Sequence, residues 1–360
     1  MKKIPTNRIN HILIRGANWV GDAVMTIPTL RSIRKNFPGA EITMLAKPWV
    51  APVFESCPYV DHIMIYQASG RHRGMPGIMR LGRDIRNRKF DLAVLFQNAF
   101  EAAWLAFLGG IPYRLGYRTD GRHLLLTHGV PVTAELKQKH QVEYYLGILE
   151  GAGLQTYGSE LSLHLTASER RTAVDRLRSS GVKPGDLLIG INPGAAFGTA
   201  KRWFPERYAQ LGQRLKQLDS GIHVAVFGGP GEKGLGESVS GQIGDRCLNL
   251  CGKTSLREAM ALIDACRLFI TNDSGLMHIA AALNVTQLAI FGSTNYTVTS
   301  PFSDESHMIR VPTDCSPCMK PDCPKGHHAC MAAVTVDMVF RKARTLLSRS
   351  LAADHRGGRP

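Results

Sequence analysis

Arg267-Leu268-Phe269-Ile270-Thr271-Asn272-Asp273-Ser274-Gly275-Leu276-Met277-His278, continuing into Ile279-Ala280-Ala281-Ala282-Leu283, is the stretch on which the fold turns. Its apolar start reads as a buried strand and its alanine-rich end as a helix, with Asp-Ser-Gly between them. A strand that turns straight into a helix aims free backbone N–H groups and the positive end of the helix dipole at one spot. That spot suits a diphosphate, and His278 would lie one turn along. An ordinary strand-to-helix turn with Asp273 or Ser274 as N-cap accounts for the same residues, and the two readings stand level.

Working outward, the second half alternates strands and helices. Leu187–Ile191 is a strand, a helix starts at Pro205, and strands follow at His223–Phe227 and near Leu248. Then come helix Leu256–Ala265, strand Leu268–Thr271, helix Leu276–Leu283 and strand Gln287–Phe291. Val336–Leu351 closes the chain as a helix able to pack back on the first domain. The first half repeats the pattern, with strands at Ile9–Arg15, Glu41–Ala46, His62–Tyr66 and Leu92–Phe96. Its helices are Ala23–Phe37, Ile78–Arg88, Ala99–Leu108 and Gln141–Gly151, and Ser168–Ser180 reads as a polar helix. Such alternation is the signature of parallel sheets with crossover helices. The expected fold class is therefore α/β, with two Rossmann-like, doubly wound domains at 1–180 and 181–351 and a flexible tail at 352–360. In such sheets ligands sit outside the carboxyl ends of the strands.

The 360 residues suit two domains of ordinary size, and 44% apolar with 20% charged residues describe a globular chain. No apolar run approaches the length of a membrane span, and Ile9–Ile14 is too short for a signal segment. A cytoplasmic location is expected. The net charge of +15 asks for anionic partners. Basic residues gather at Arg71-His72-Arg73, from Arg80 to Lys89 and from Arg114 to Arg122. No aromatic platform accompanies them, so a phosphorylated sugar or anionic lipid fits better than nucleic acid.

Three further loops follow strands. Arg15-Gly16-Ala17-Asn18-Trp19-Val20-Gly21-Asp22 has the wrong glycine spacing for a dinucleotide fingerprint, and no acidic residue closes the second strand. A nicotinamide reading is rejected. Asp22 is left at a helix start, either as a cap or as a general base exposed to a cleft, with the cap mildly favoured by spacing alone. Asn192 to Pro205 combines Gly194, Ala195, Ala196, Gly198 and Thr199 with Lys201-Arg202. Small residues admit a phosphate and a fixed cation stabilises a departing anion, a reading favoured over a solvated surface pair. Phe227-Gly228-Gly229-Pro230-Gly231-Glu232 has room for a flat nucleoside, with Glu232 accepting from hydroxyls.

Taken in order, Arg15 through Pro28, the Pro193–Pro205 loop with Lys201 and Trp203, Phe227-Gly228-Gly229, and Asn272-Asp273-Ser274-Gly275 with His278 resemble glycosyltransferase family 9. The resemblance spans roughly Ile9 to Phe340. It implies a GT-B-type fold of two facing Rossmann-like domains with a cleft, the first binding acceptor and the second ADP-heptose. The implied reaction is an inverting transfer of L-glycero-D-manno-heptose to the heptose of the lipopolysaccharide inner core, on a heptosylated Kdo-lipid A acceptor. By resemblance Asp22 is the base and Lys201 faces the diphosphate. Gly194, Thr199, Gly228, Gly229, Asp273, Ser274, Gly275 and His278 serve the donor, and Glu232 falls near the ribose-binding acid. Asn18, Trp19, Arg71, Arg73, Arg114, Arg118 and Arg122 are acceptor candidates, although for any single arginine a solvated surface position is the commoner state. Catalysis is expected to need no metal cofactor, because Lys201 and a helix N-terminus supply the positive charge. A peripheral position on the inner face of the inner membrane follows from the acceptor.

Cys315-Ser316-Pro317-Cys318, Cys323 and Cys330 have ligand-like spacing for a structural zinc. Unliganded thiols are an equal alternative, a disulfide stands behind both, and an iron–sulfur cluster is a further option. Competing functions are transfer of the first heptose or of another sugar to Kdo-lipid A, a nucleotide-sugar epimerase, and a non-catalytic protein binding nucleotide or anionic lipid.

Overall fold

The computed structural model describes residues 3–354, which fall into two units meeting in sequence between His164 and Leu165. The first unit carries β1 (His11–Arg15), β2 (Glu41–Ala46), β3 (His62–Ile65), β4 (Leu92–Leu95), β5 (Tyr113–Tyr117) and β6 (His128–Val130). All pair parallel, in the order β3-β2-β1-β4-β5-β6. The second unit carries β7 (Leu187–Asn192), β8 (Ile222–Val226), β9 (Cys247–Asn249), β10 (Leu268–Asn272), β11 (Gln287–Phe291) and β12 (Ser306–Arg310). Its order, read from the other edge, is β9-β8-β7-β10-β11-β12. Each unit thus repeats one doubly wound order, which reverses beside its own first strand: between β1 and β4, and between β7 and β10. These are the topological switch points where α/β sheets bind ligands.

Helices cover both faces, so central strands are buried throughout: Leu92–Leu95 is an unbroken apolar run, and Ile222–Val226 is interrupted only by His223. The core of the second unit gathers Ile189, Ile191, Val224 and Ile270 around Trp203 and Tyr208. The closing helix, Val336–Asp354, adds Val339, Ala343, Leu346 and Leu347 to that same core. It packs on helix Pro205–Lys216 within its own unit and runs through the first residues of the expected tail. The rest of that tail, from residue 355, lies outside the described residues.

Two local differences from the sequence expectation have physical causes. The helix expected over Ala23–Phe37 is two helices, Val20–Met25 and Ile27–Asn36, joined at Thr26. Pro28 has no N–H to continue the ladder and its ring crowds the carbonyl one turn back. Helix Ala167–Ser179, placed in the first domain by the 180 boundary, packs against helix Leu256–Asp264 of the second unit. Arg257 clamps Glu169 through Nε at 2.6 Å and a terminal guanidinium nitrogen at 2.7 Å, and Arg170 meets Asp264 at 2.8 Å.

Candidate functional site

At the second switch point β7 and β10 run side by side with Asn192 opposite Thr271. Two buried amides build the floor. Asn192 donates through Nδ2 to Thr271 Oγ1 at 3.1 Å and Ser274 Oγ at 2.8 Å. Asn272 accepts at Oδ1 from the Trp203 amide and the Tyr208 hydroxyl, both at 3.0 Å. Its Nδ2 donates to the carbonyls of Pro193 at 2.9 Å and Gly194 at 3.2 Å. One side chain therefore pins both ends of the 193–205 loop to the tip of β10. Buried polar groups left unpaired cost about 1–3 kcal/mol each, so this fastening is strongly specified.

On that floor Lys201 Nζ sits 2.9 Å from Asp273 Oδ2, with the lysine 16% and the aspartate 6% exposed as side chains. The ammonium also faces the Phe197 ring at 5.4 Å. Ser274 caps helix Gly275–Ala282 by accepting from the Met277 amide at 3.4 Å, and His278 is buried one turn into it. The helix cap is thus Ser274, which leaves Asp273 to Lys201.

Gly194 is required by close approach: a β-carbon there would meet Glu232 Oε1 at 1.8 Å. Glu232 in turn accepts from the Gly229 amide at 2.8 Å, and a β-carbon at Gly228 would meet its Oε2 at 3.0 Å. The structure therefore brings Gly194, Gly228, Gly229 and Glu232 to one spot. Thr199 differs: its hydroxyl donates to Asp322 Oδ1 at 2.7 Å, and the Ala200 amide donates to the Pro321 carbonyl at 2.9 Å. Gly198, at φ +127°, lies against that same Pro321 carbonyl.

In the first unit, Asp22 is the third residue of helix Val20–Met25, whose N-cap is Trp19. Asp22 Oδ1 accepts from the Tyr145 hydroxyl at 3.4 Å. Burial first, and the Asp22 carboxylate second, push the Tyr145 phenol well above its usual range, so it stays a donor. Asn18 takes a bond from Arg15 on its side chain at 2.9 Å and one from the Trp49 indole on its carbonyl at 2.9 Å. Trp19 beside it is exposed.

The arginines do not converge. Arg71 pairs with Asp84 at 3.0 Å, and Arg73 stands exposed just before helix Gly74–Asn87. Arg114 donates to the carbonyls of Leu125 and Ile111 at 2.5 Å, and the stem of Arg118 lies over Gly129. Arg122 is fully buried, donating to the carbonyls of Tyr117 and Gln97 and to Asn98 Oδ1, and burial lowers it to about 10.

Cys315, Cys318, Cys323 and Cys330 line one cavity with His327 and His328, and all four are free thiols. Among the described residues no three His, Cys, Asp or Glu side chains stand as a metal-holding group. Cys323 is held below the usual thiol range, first by the His328 amide and then by its neighbours' amides, while burial pushes Cys330 up.

Sequence reasoning missed Asn192 and Asn272 as the struts of this floor, and Asp322 as the tether of Thr199. Polar residues at the last position of otherwise apolar strands were the available signal. It also passed over Arg15 and Lys47, which end or follow β1 and β2 yet are buried.

Residues 78–329 match the family model described as glycosyltransferase family 9 (heptosyltransferase). The chain is 31% identical to lipopolysaccharide heptosyltransferase 2 of Escherichia coli K12, over 93% of this chain and 98% of that protein. It is 30% identical to lipooligosaccharide heptosyltransferase 2 of Haemophilus influenzae, over 94% and 100%. The solved structure of E. coli ADP-heptose LPS heptosyltransferase II superposes with a TM-score of 0.78 at 28% identity, covering 95% of this chain and 99% of that one.

Proposed function

The chain belongs to glycosyltransferase family 9, and we propose that it transfers L-glycero-D-manno-heptose from ADP-heptose to the first heptose of the lipopolysaccharide inner core. The observation that carries this reading is the end-to-end similarity to proteins named heptosyltransferase 2. Asp22, in the first turn of the helix that follows β1, takes the proton of the acceptor hydroxyl. The hydroxyl oxygen bonds the anomeric carbon from the face opposite the leaving group, the carbon–phosphate oxygen bond breaks, and ADP departs with inverted product behind it.

Lys201, held in place by Asp273, meets the negative charge gathering on the diphosphate, with Ser274, Gly275 and the helix behind them supplying backbone donors. Gly194, Gly228 and Gly229 leave room for the nucleoside, and Glu232 accepts from ribose. Thr199 anchors this loop, and buried His278 supports the helix. Arg114 and Arg122 are struts of their own unit, which leaves Arg71, Arg73, Arg118, Asn18 and Trp19 to meet the acceptor.

The test is ADP release with two acceptors, Kdo-lipid A and the same molecule carrying one heptose. Turnover confined to the heptosylated acceptor is expected; turnover on the bare acceptor would make this the first transferase of the core.

Among the described residues no helix is long and apolar enough to cross a membrane, and the first unit's surface supports attachment to the inner leaflet. Phe100, Trp104 and Phe107 stack along one helix, with centroids 6.3 and 5.7 Å apart. Exposed Met75, Met79, Arg80 and Arg83 lie on the helix packed against it. Apolar side chains beside arginines suit an anionic lipid surface. A structural zinc at the four cysteines is the matching cofactor reading, supported by their shared cavity and by the amides already turned on Cys323. Elemental analysis of protein purified without chelator should find near-stoichiometric zinc; four titratable thiols and no metal would remove it.

A further inference from the structure

Two cations are buried side by side at the carboxyl ends of β1 and β2, and the transfer step gives them no role. Arg15 ends β1 and is 1% exposed; Lys47 follows β2 and is 8% exposed. The strands pair in register, Arg15 opposite Leu45, so both residues sit at one edge of the sheet. Both lie on Tyr66, the residue after β3. The Lys47 ammonium is 3.5 Å from the ring centroid and the Arg15 guanidinium 5.4 Å.

Arg15 donates to the Gly16 carbonyl at 2.5 Å and to Asn18 Oδ1 at 2.9 Å, but its buried Nε has no partner. The carboxylate that reaches this group, Glu101, is taken up by the Tyr66 hydroxyl. Burial, the largest cause in each case, lowers Arg15 to about 10 and lowers Lys47, and the Arg15 charge lowers Lys47 further. Buried charges persist where they are paired, and here two positive charges face one negative.

We propose that Arg15, Lys47 and Tyr66 form an oxyanion subsite of the first unit, which takes a carboxylate or phosphate of the acceptor. The identity of that ligand rests on the transferase reading. Lys47 is the group that touches the anion. Arg15 acts behind it, adding charge and holding Asn18, which lies on the loop that presents Asp22. An acid group seated here fixes the acceptor beside the base, so that its hydroxyl meets Asp22 in one orientation.

The test compares wild type with Lys47→Met and Lys47→Arg, using heptosylated Kdo-lipid A. Lys47→Met should raise acceptor KM about tenfold and lower kcat by a smaller factor, with donor KM unchanged, and Lys47→Arg should restore most of both. A purely structural lysine would lower Tm and leave acceptor KM alone, which overturns the proposal, as would a rise confined to donor KM. Carboxyl-reduced and dephosphorylated acceptors separate the sources: the one on which wild type and Lys47→Met become alike has lost the recognised group. An undiminished difference on both overturns the anion assignment.

If wild type turns over neither heptosylated nor bare acceptor, the transferase reading fails by itself. The subsite is then read by thermal shift with inorganic phosphate or acetate alone. Stabilisation of wild type that Lys47→Met lacks supports it, and no stabilisation overturns it.

Discussion

The two units share a strand order and differ in how the charges at their strand ends are settled. In the second unit the polar side chains at the β7–β10 crossing are answered from within: Asn192 donates to Thr271 and Ser274, Asn272 both donates and accepts, and Lys201 is paired with Asp273. At the rim of β1 and β2 in the first unit, Arg15 and Lys47 outnumber their carboxylate. Topology decides where a ligand can sit, whereas the last residue of each strand decides what it can be. A closed network suits a rigid donor pocket built for one nucleotide. An unbalanced one suits a partner that brings its own negative charge.

The sharpest way to break this contrast is Asp22→Ala. If the first unit supplies the base, turnover should fall about a thousandfold while ADP-heptose affinity, measured by calorimetry, stays within about twofold. Equal loss in both quantities would move Asp22 to the donor. Next, Lys201→Ala should lower kcat/KM about a hundredfold through donor binding and turnover together, read by steady-state kinetics at varied ADP-heptose. Unchanged kinetics would show Lys201 serving only Asp273.

Asn272→Ala tests the closed network itself. It strips partners from the Trp203 amide, the Tyr208 hydroxyl and two carbonyls, and should cost about 3 kcal/mol in urea unfolding. The smallest effect concerns the clamp that ties helix Ala167–Ser179 to the second unit. Glu169 is lowered to about 2, first by its bond from Arg257. A carboxylate depressed on folding adds stability above its unfolded value near 4.5, and loses it as pH falls from there toward 2. Glu169→Gln should therefore lose about 2 kcal/mol at pH 7 and show a flatter stability profile between pH 5 and about 2.5. A parallel profile would assign the acid dependence elsewhere.

Most strands at the centre of both sheets were legible because a parallel strand covered on both faces is a plain apolar run, as in Leu92–Leu95 and in the last four residues of Gln287–Phe291. What escaped lies at the edges. β5 carries Arg114 and Gly116 in five residues, β6 has three residues, and β12, half-buried, is Ser-His-Met-Ile-Arg. Helix Lys233–Ile243 holds three glycines and two serines, so local propensity argues against it and packing on β9 and helix Pro205–Lys216 makes it. In the second unit, small residues after strands marked loops that the fold does bring together. The close approaches that gather Gly194, Gly228 and Glu232 involve residues up to 38 positions apart in the chain, and no local pattern encodes them. Arg15 was read as the end of a strand because a buried arginine looks, in sequence, like an exposed one.

The fastening of residues 198–200 to Pro321 and Asp322 sets a rule for anyone rebuilding this molecule. Gly198 tolerates no side chain because Pro321 occupies the space, and Thr199 and Ala200 donate to that same short segment. The two stretches are one part made from two lengths of chain. A transplanted 193–205 loop should arrive with its own counterpart of 319–323, and a chimera that swaps either alone should leave the transplanted lysine without a fixed address.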